Sequence, residues 1–442
     1  MSGPLQVVAV AVLAAICTAG AASQASEPTP LSWQEPVVVA TGDGHKGPWR
    51  MNRSAFHYVD DPAVAMNAAG IIAVAWVDNR RQEIFLQRYG SAGRPRFATP
   101  AKVSRSPDVF SWLPKLVIGR GKEPDVFVLW QEIVFSGGSH GGEILFARST
   151  DGGGSFAAPL NLSNSRPGDG KGRLTARYWD NGSLDLAMAP DGRLYAAWTE
   201  YDGRLWLARS DDRGAGFAAP RRIAGNDGAP ARGPTLAVGN DGAVHLAWAV
   251  GEDRTAGIRY TRSDDGGTSF GVPEVVGSGN GRGDAPDLLI DDAGGVHLVY
   301  AEHEGGPRSR GVIRHSVRTA GAWTPPAVIS QPPPIAAESA AFPTLSQGRN
   351  GHVLALWPLF QAVGNYPRGL ALSRSRDGGQ SFAPPRLIAG SDNPAHGFNG
   401  SQQGLLMQRL ASNRSGAVAV VASTFQAGAA SRIWLYLGQA GR

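Results

Sequence analysis

The 442-residue chain holds a single cysteine, Cys17. One thiol cannot form an internal disulfide or a CxxC pair, so dithiol exchange and cysteine-rich zinc sites are excluded. Charged residues make up only 18% of the chain, lysine is scarce, and the net charge of +5 comes from scattered arginine. No Lys/Arg run of the kind that tracks a phosphate backbone occurs, which argues against nucleic acid as a partner. HExxH and P-loop patterns are missing too, leaving zinc protease and NTPase readings without support. No apolar run approaches the roughly 20 residues of a membrane helix.

The longest apolar run, "VVAVAVLAAI" at residues 7–16, is short and is followed by small residues in "AGA" and "ASQAS". It reads as the core of an export signal over residues 1–25, although "MSGPLQ" before it carries no Lys or Arg. The expected location is therefore periplasmic or extracellular. A lipoprotein signal needs a small residue before its cysteine, and Ile16 stands there, so lipid anchoring at Cys17 is the lesser alternative. Without a disulfide, an exported domain of this size must rest on its core, and 42% apolar residues can supply one.

Glycine is plentiful, at 59 residues, and much of it recurs in one motif. Four segments share the frame Ser-x-Asp-x-Gly-x-x-Phe: Ser149/Asp151/Gly153/Phe156, Ser210/Asp212/Gly214/Phe217, Ser263/Asp265/Gly267/Phe270 and Ser375/Asp377/Gly379/Phe382. Degenerate copies end at Phe97 and Trp323. Each copy lies between two short alternating runs, a hairpin signature. Upstream of each lies a second hairpin, as in "PTLAVGNDGAVHLAWAV" at residues 234–250. The unit is thus four strands in about fifty residues, the period of a β-propeller blade. The last unit, "QRLASNRSGAVAVVAS" and "SRIWLYLG", ends one strand short, and "WQEPVVVA" at residues 33–40 matches "FAAPRRIA" at 217–224 position for position. The expectation is a single all-β propeller over residues 33–438 with seven four-stranded blades, its N-terminal strand closing the last one. Six blades would follow if one degenerate unit were an insertion.

The repeated turn resembles the Asp-box, or BNR repeat, of the sialidase (neuraminidase) superfamily. In that family it joins the third and fourth strands and serves as scaffold, so the resemblance places function elsewhere. It implies a set of three arginines clamping a carboxylate, a Tyr nucleophile assisted by Glu, and an Asp acid. The family's Arg-x-Pro is met by Arg232-Gly233-Pro234, and its Asp-x-Arg by Asp78-Asn79-Arg80. In the first unit Asp60-Asp61-Pro62 stands where the hallmark arginine would be, and "RQEIF" leaves no room for the acid loop. No catalytic residue is therefore assigned.

Ligands of propellers usually sit at the axial mouth, where innermost strands begin. The residues there are His57, Asp60, Trp112, Arg232, Asp284, Glu338 and Phe342, with Arg177, Tyr178, Trp179 and Asp180 from "RYWDNG", Trp49, Arg50 and Arg53 from "GPWRMNR", and His396, Phe398 and Asn399 from "HGFNGSQQG". The candidate ligand-binding set is Arg53, Asp60, Arg80, Trp112, Arg177, Tyr178, Trp179, Asp180, Arg232 and Glu338. Rings, guanidinium groups and carboxylates together suit a glycan or another polar or anionic ligand. The alternatives are an exo-α-sialidase that draws arginines from Arg50, Arg53 or Arg177, and a structural or protein-interaction propeller of the cell envelope. No cofactor or metal is expected, since the turns lack the ligand spacing and distal Glu of a calcium loop. Trp76, Trp130, Trp198, Trp248 and Trp357 recur at one place of the unit and read as core, and "RGD" at residues 282–284 reads as chance.

Overall fold

The computed structural model describes residues 31–133, 142–164, 183–200, 203–226, 228–251, 257–277, 281–304, 309–362, 366–396, 398–399 and 407–441. They form a seven-bladed β-propeller of antiparallel sheets. Each blade runs outwards from its innermost strand; the second blade, for example, is Ser111–Ile118, Val126–Glu132, Glu143–Ser149 and Leu160–Asn161. The innermost strands of blades 1 to 7 begin at Val59, Ser111, Leu184, Ala231, Arg282, Ser339 and Leu410. Each packs on the next around the ring, and the seventh packs on the first. Both degenerate copies of the turn lie in complete blades, between Glu83–Tyr89 and Ala101–Lys102 and between Gly311–Thr319 and Ala327–Val328, so the six-bladed alternative is corrected to seven.

Second strands are sandwiched between neighbouring sheets, and Val126–Glu132 is buried at every residue. The five recurrent tryptophans on these strands are all buried, as their position requires. The N-terminal residues close the ring. Val37–Asp43 and Leu31–Trp33 pair with Ala430–Ala440, aligning Val37 with Leu435 and Leu31 with Ala440. The Ser431 hydroxyl binds this seam to the first blade, donating to the Asp43 carbonyl at 2.9 Å and accepting the Val59 N–H at 2.9 Å.

The four Ser-x-Asp turns are built alike. In the second blade the Ser149 hydroxyl donates to Asp151 Oδ1 at 2.6 Å and accepts the Gly153 N–H at 2.8 Å, while Asp151 also takes the Ser155 N–H at 3.0 Å. Burial would raise the Asp151 carboxyl, but these hydrogen bonds hold it at about 2. The turn also binds its blade to the one before. Arg88 donates to the Gly152 carbonyl at 2.8 Å and Arg209 to that of Gly266 at 2.9 Å. The aromatic of the motif packs across the same seam: Phe217 meets Phe146 edge-on at 4.8 Å, and Phe382 lies 4.8 Å from His315. The turn is a staple between blades.

Candidate functional site

An innermost strand has one edge without a strand partner, and its N–H groups still need acceptors. Side chains from other blades supply them. Asp185 Oδ2 accepts the Leu236 N–H at 2.7 Å, Thr235 Oγ1 that of Leu288 at 3.1 Å, and Asp287 Oδ2 that of Leu345 at 2.6 Å. Gln408 reaches Leu116, accepting its N–H at 2.9 Å and donating to its carbonyl at 2.8 Å. A polar ring results along the axis, and it gives the channel its chemistry.

Five blades place a proline just before this ring, and the residue ahead of each is left-handed. Asp61, Leu113, Gly233, Ala285 and Phe342 have φ between 48° and 55°. Proline lacks the N–H the ladder needs, so pairing slips between Asp60 and Ala63, between Arg232 and Thr235, and between Asp284 and Asp287. A non-glycine residue held there costs about 1–2 kcal/mol, and such strain gathers at sites that must aim side chains.

Inside the slip lies an axial cavity lined by Lys115, Ser183, Asp185, Thr235, Asp287, Phe342, Thr344 and Met407, with room for about two or three waters. Burial raises the Asp185 carboxyl, opposed by the charge of Lys115, whose Nζ stands 4.0 Å away. Burial pushes Asp287 up to about 7, opposed by its hydrogen bond from Leu345 and reinforced by the charge of Asp185. The Thr235 hydroxyl donates to Asp287 at 3.3 Å. The channel can thus hold a proton near neutrality. No group of three or more His, Cys, Asp or Glu that could hold a metal ion occurs among the described residues.

At the mouth, the first and last blades bring charges together. Asp60 and Asp61 are buried, and the Asp61 carboxylate takes the Leu113 N–H at 3.2 Å. Their negative charges reach Arg409, which is 1% exposed. Burial lowers the Arg409 guanidinium to about 10 against those charges. Neither of its Nη atoms has a hydrogen-bond partner among the described residues.

The sequence candidates fall in several places. Asp60 belongs to this charged cluster. Trp112 is 1% exposed, donates its indole N–H to Asn79 at 2.9 Å, and packs against the rings of Trp49 and Phe110, so its ring is core and not a platform. Arg53 and Glu338 are exposed. Arg80 is exposed as well and pairs at 3.2 Å with Asp43 on the closing strand, away from the axial cavity. Arg232 is half-buried beside the fourth-blade slip. Arg177, Tyr178, Trp179 and Asp180 lie outside the described residues. The "RGD" arginine is buried and donates to the Gly251 carbonyl at 3.1 Å, so the tripeptide is not displayed. Sequence reasoning passed over Lys115, Asp185, Thr235, Asp287, Gln408 and Arg409. The signal available was register: Lys115, Thr235 and Asp287 each directly follow the recurring proline of the unit.

No family model matches the chain, and no curated protein does either. Solved structures resemble it in fold. One described as an ulvan lyase from a new family of polysaccharide lyases aligns over 90% of this chain and 95% of its own, at TM-score 0.56 and 13% identity. The polysaccharide lyase Uly1 aligns over 92% and 100%, at 0.52 and 11%. A protein of unknown function from Dyadobacter fermentans DSM 18053 aligns over 77% and 98%, at 0.51 and 17%. These likenesses establish the propeller and nothing finer.

Proposed function

We propose that the protein is an exported, sialidase-like propeller that binds a glycan at the mouth of its central channel, with no catalytic step assigned. The observation that carries this reading is the Arg409–Asp60–Asp61 cluster. An enclosed guanidinium whose Nη groups donate to no described residue is costly unless oxygen atoms complete it. The Asp60 and Asp61 carboxylates lie close enough for their charges to act on it. Guanidinium donors at a mouth suit a hydroxyl-rich ring, and a carboxylate or sulfate on that ring would pair with arginine. The propellers reported above that align over 90% or more of the chain are polysaccharide lyases, and one is described as bound to -[GlcA(1-4)Rha3S]-. That favours an acidic glycan over a neutral one.

Arg232 belongs to the same reading, through its Arg-x-Pro context and its place at the mouth. Arg232→Ala is expected to weaken glycan binding by on the order of 2–4 kcal/mol. Arg232→Lys should restore only part, because an ammonium lacks the planar fork. An oligosaccharide array, followed by calorimetry on any hit with Arg232→Ala and Asp60→Asn, tests the proposal. Unchanged affinity in both variants, or no hit among acidic and neutral sugars, would sink it. Turnover of a fluorogenic sialoside would instead favour the exo-α-sialidase alternative.

A further inference from the structure

On the rim, the seam between the sixth and seventh blades opens into a shallow groove. Leu31, Trp33, Leu372, Leu387 and Ile388 line it, and Arg374 and Arg386 edge it. Trp33 comes from the closing strand, where it pairs with Gly438. A Cβ on that glycine would stand 2.9 Å from the indole, so the ring lies directly on the strand's backbone. Trp33 is only half-buried there, in a groove whose floor is otherwise aliphatic.

The charged side chains that line the groove itself are cationic. Burial lowers the Arg374 guanidinium, and the positive charges of Arg376 and Arg386 lower it further. Burial likewise lowers His352, followed by the charges of Arg374, Arg376 and Arg349. The nearby Asp377 carboxylate is taken up inside its own turn by Ser375 and Ser381. Arg349, Arg376 and Arg386 form no ion pair with a described residue. Arg376 and Arg386 are exposed and their charges meet at Arg374, and an anion bound beside them would relieve that repulsion.

We propose that this groove is a second carbohydrate site, which takes a strand of acidic polysaccharide against the outside of the propeller. A sugar presents an apolar C–H face that suits Trp33 and the aliphatic floor. The cations extend beyond the groove itself, to Arg376 and Arg349, so the positive field is wider than one small anion. A chain with a carboxylate or sulfate on successive units matches that footprint. The inference stands apart from the axial mouth and does not need it.

The experiment uses polygalacturonate and sulfated dextran as probes, with neutral dextran as control, in affinity electrophoresis and calorimetry on the full chain. Both polyanions should bind, more weakly as salt rises, and neutral dextran should not. Arg376→Glu/Arg386→Glu changes two exposed side chains, and it should weaken polyanion binding roughly tenfold or more with an unchanged melting temperature. Arg232→Ala at the mouth should leave polyanion binding as it is, which separates failure here from failure of the axial reading. Equal affinity in the double variant would overturn the proposal. So would tighter binding of a single-stranded oligonucleotide than of either polysaccharide, or binding of decyl sulfate without either polyanion.

Discussion

At the scale of single residues, the axial carboxyls carry the sharpest consequence. Burial lifts Asp287 to about 7, against an unfolded value of about 3.9. The folded protein therefore keeps a proton that the unfolded chain releases across that interval. The stabilisation is complete below the unfolded value and is lost as pH rises through about 7. Asparagine is never charged, and its amide oxygen can still accept the Leu345 N–H. Asp287→Asn should thus compare better with the natural protein at pH 8 than at pH 5. Melting temperatures of the two proteins, measured side by side across that range, check this, and a difference independent of pH would refute it. The buried His297 and His315 work in the opposite direction. With both rings neutral, as burial favours, His297 donates from Nε2 to Asp291 at 3.1 Å and accepts the His315 Nε2–H at Nδ1 at 3.1 Å. Burial first, then the charge of His297, holds His315 at about 3, so its contribution is complete above the ordinary histidine value and is lost as pH falls towards 3. His315→Gln should flatten the decline in stability between pH 6.5 and 4, as read by denaturant midpoints.

At the scale of elements, the repeated turn explains itself by what it spans. Ser149 is buried, and its hydroxyl is the acceptor for Gly153 N–H. Ser149→Ala leaves that donor enclosed, at a cost of about 1–2 kcal/mol, which urea denaturation would register. Two glycines of the sixth-blade turn divide backbone need from packing need. Gly378 at φ +67° has nothing near its missing Cβ, whereas at Gly379, φ +83°, a Cβ would stand 2.8 Å from His297 and His315. Gly378→Ala should cost about 1 kcal/mol of backbone strain, and Gly379→Ala clearly more, since it also drives the turn off the fifth blade. Similar costs at both positions would contradict the staple. The turn was legible because its residues recur in fixed frame. Its direction was not: the spacing places Phe217 at the turn, but only packing shows that its ring crosses to Phe146 of the previous blade. The charged cluster at the mouth was hidden for the same reason. Asp60 and Arg409 are 349 positions apart and meet only because the ring closes. Trp112 misled in the other direction, since a tryptophan at the start of a strand reads equally as platform or core until Asn79 and two further rings enclose it.

For the whole molecule, stability depends on closure. A ring of blades leaves no long sheet edge only if its last sheet is complete, and here the strand that completes it comes from the opposite end of the chain. The sequence match of residues 33–40 to residues 217–224 foretold this pairing, because a repeat that ends one strand short must borrow the missing one. Val37, Val39 and Ala40 pack against the core shared by the first and last blades, and Leu31 and Trp33 against that of the sixth and seventh. Each well-buried aliphatic side chain contributes roughly 1.5–3 kcal/mol, and these partly buried ones contribute less. Together they still reach several kcal/mol, a large share of the about 5–15 kcal/mol that holds a domain folded. Removing residues up to 43 would also strip Ser431 of its acceptor at Asp43 and expose the Ala430–Ala440 edge. That truncation should lower the melting temperature markedly, and the bare edge should drive association at high concentration. Adding a synthetic peptide of residues 31–43 should restore part of the lost stability in proportion to its occupancy. If the truncated protein melts where the full chain does, the first strand is an ornament of the last blade and not its closure.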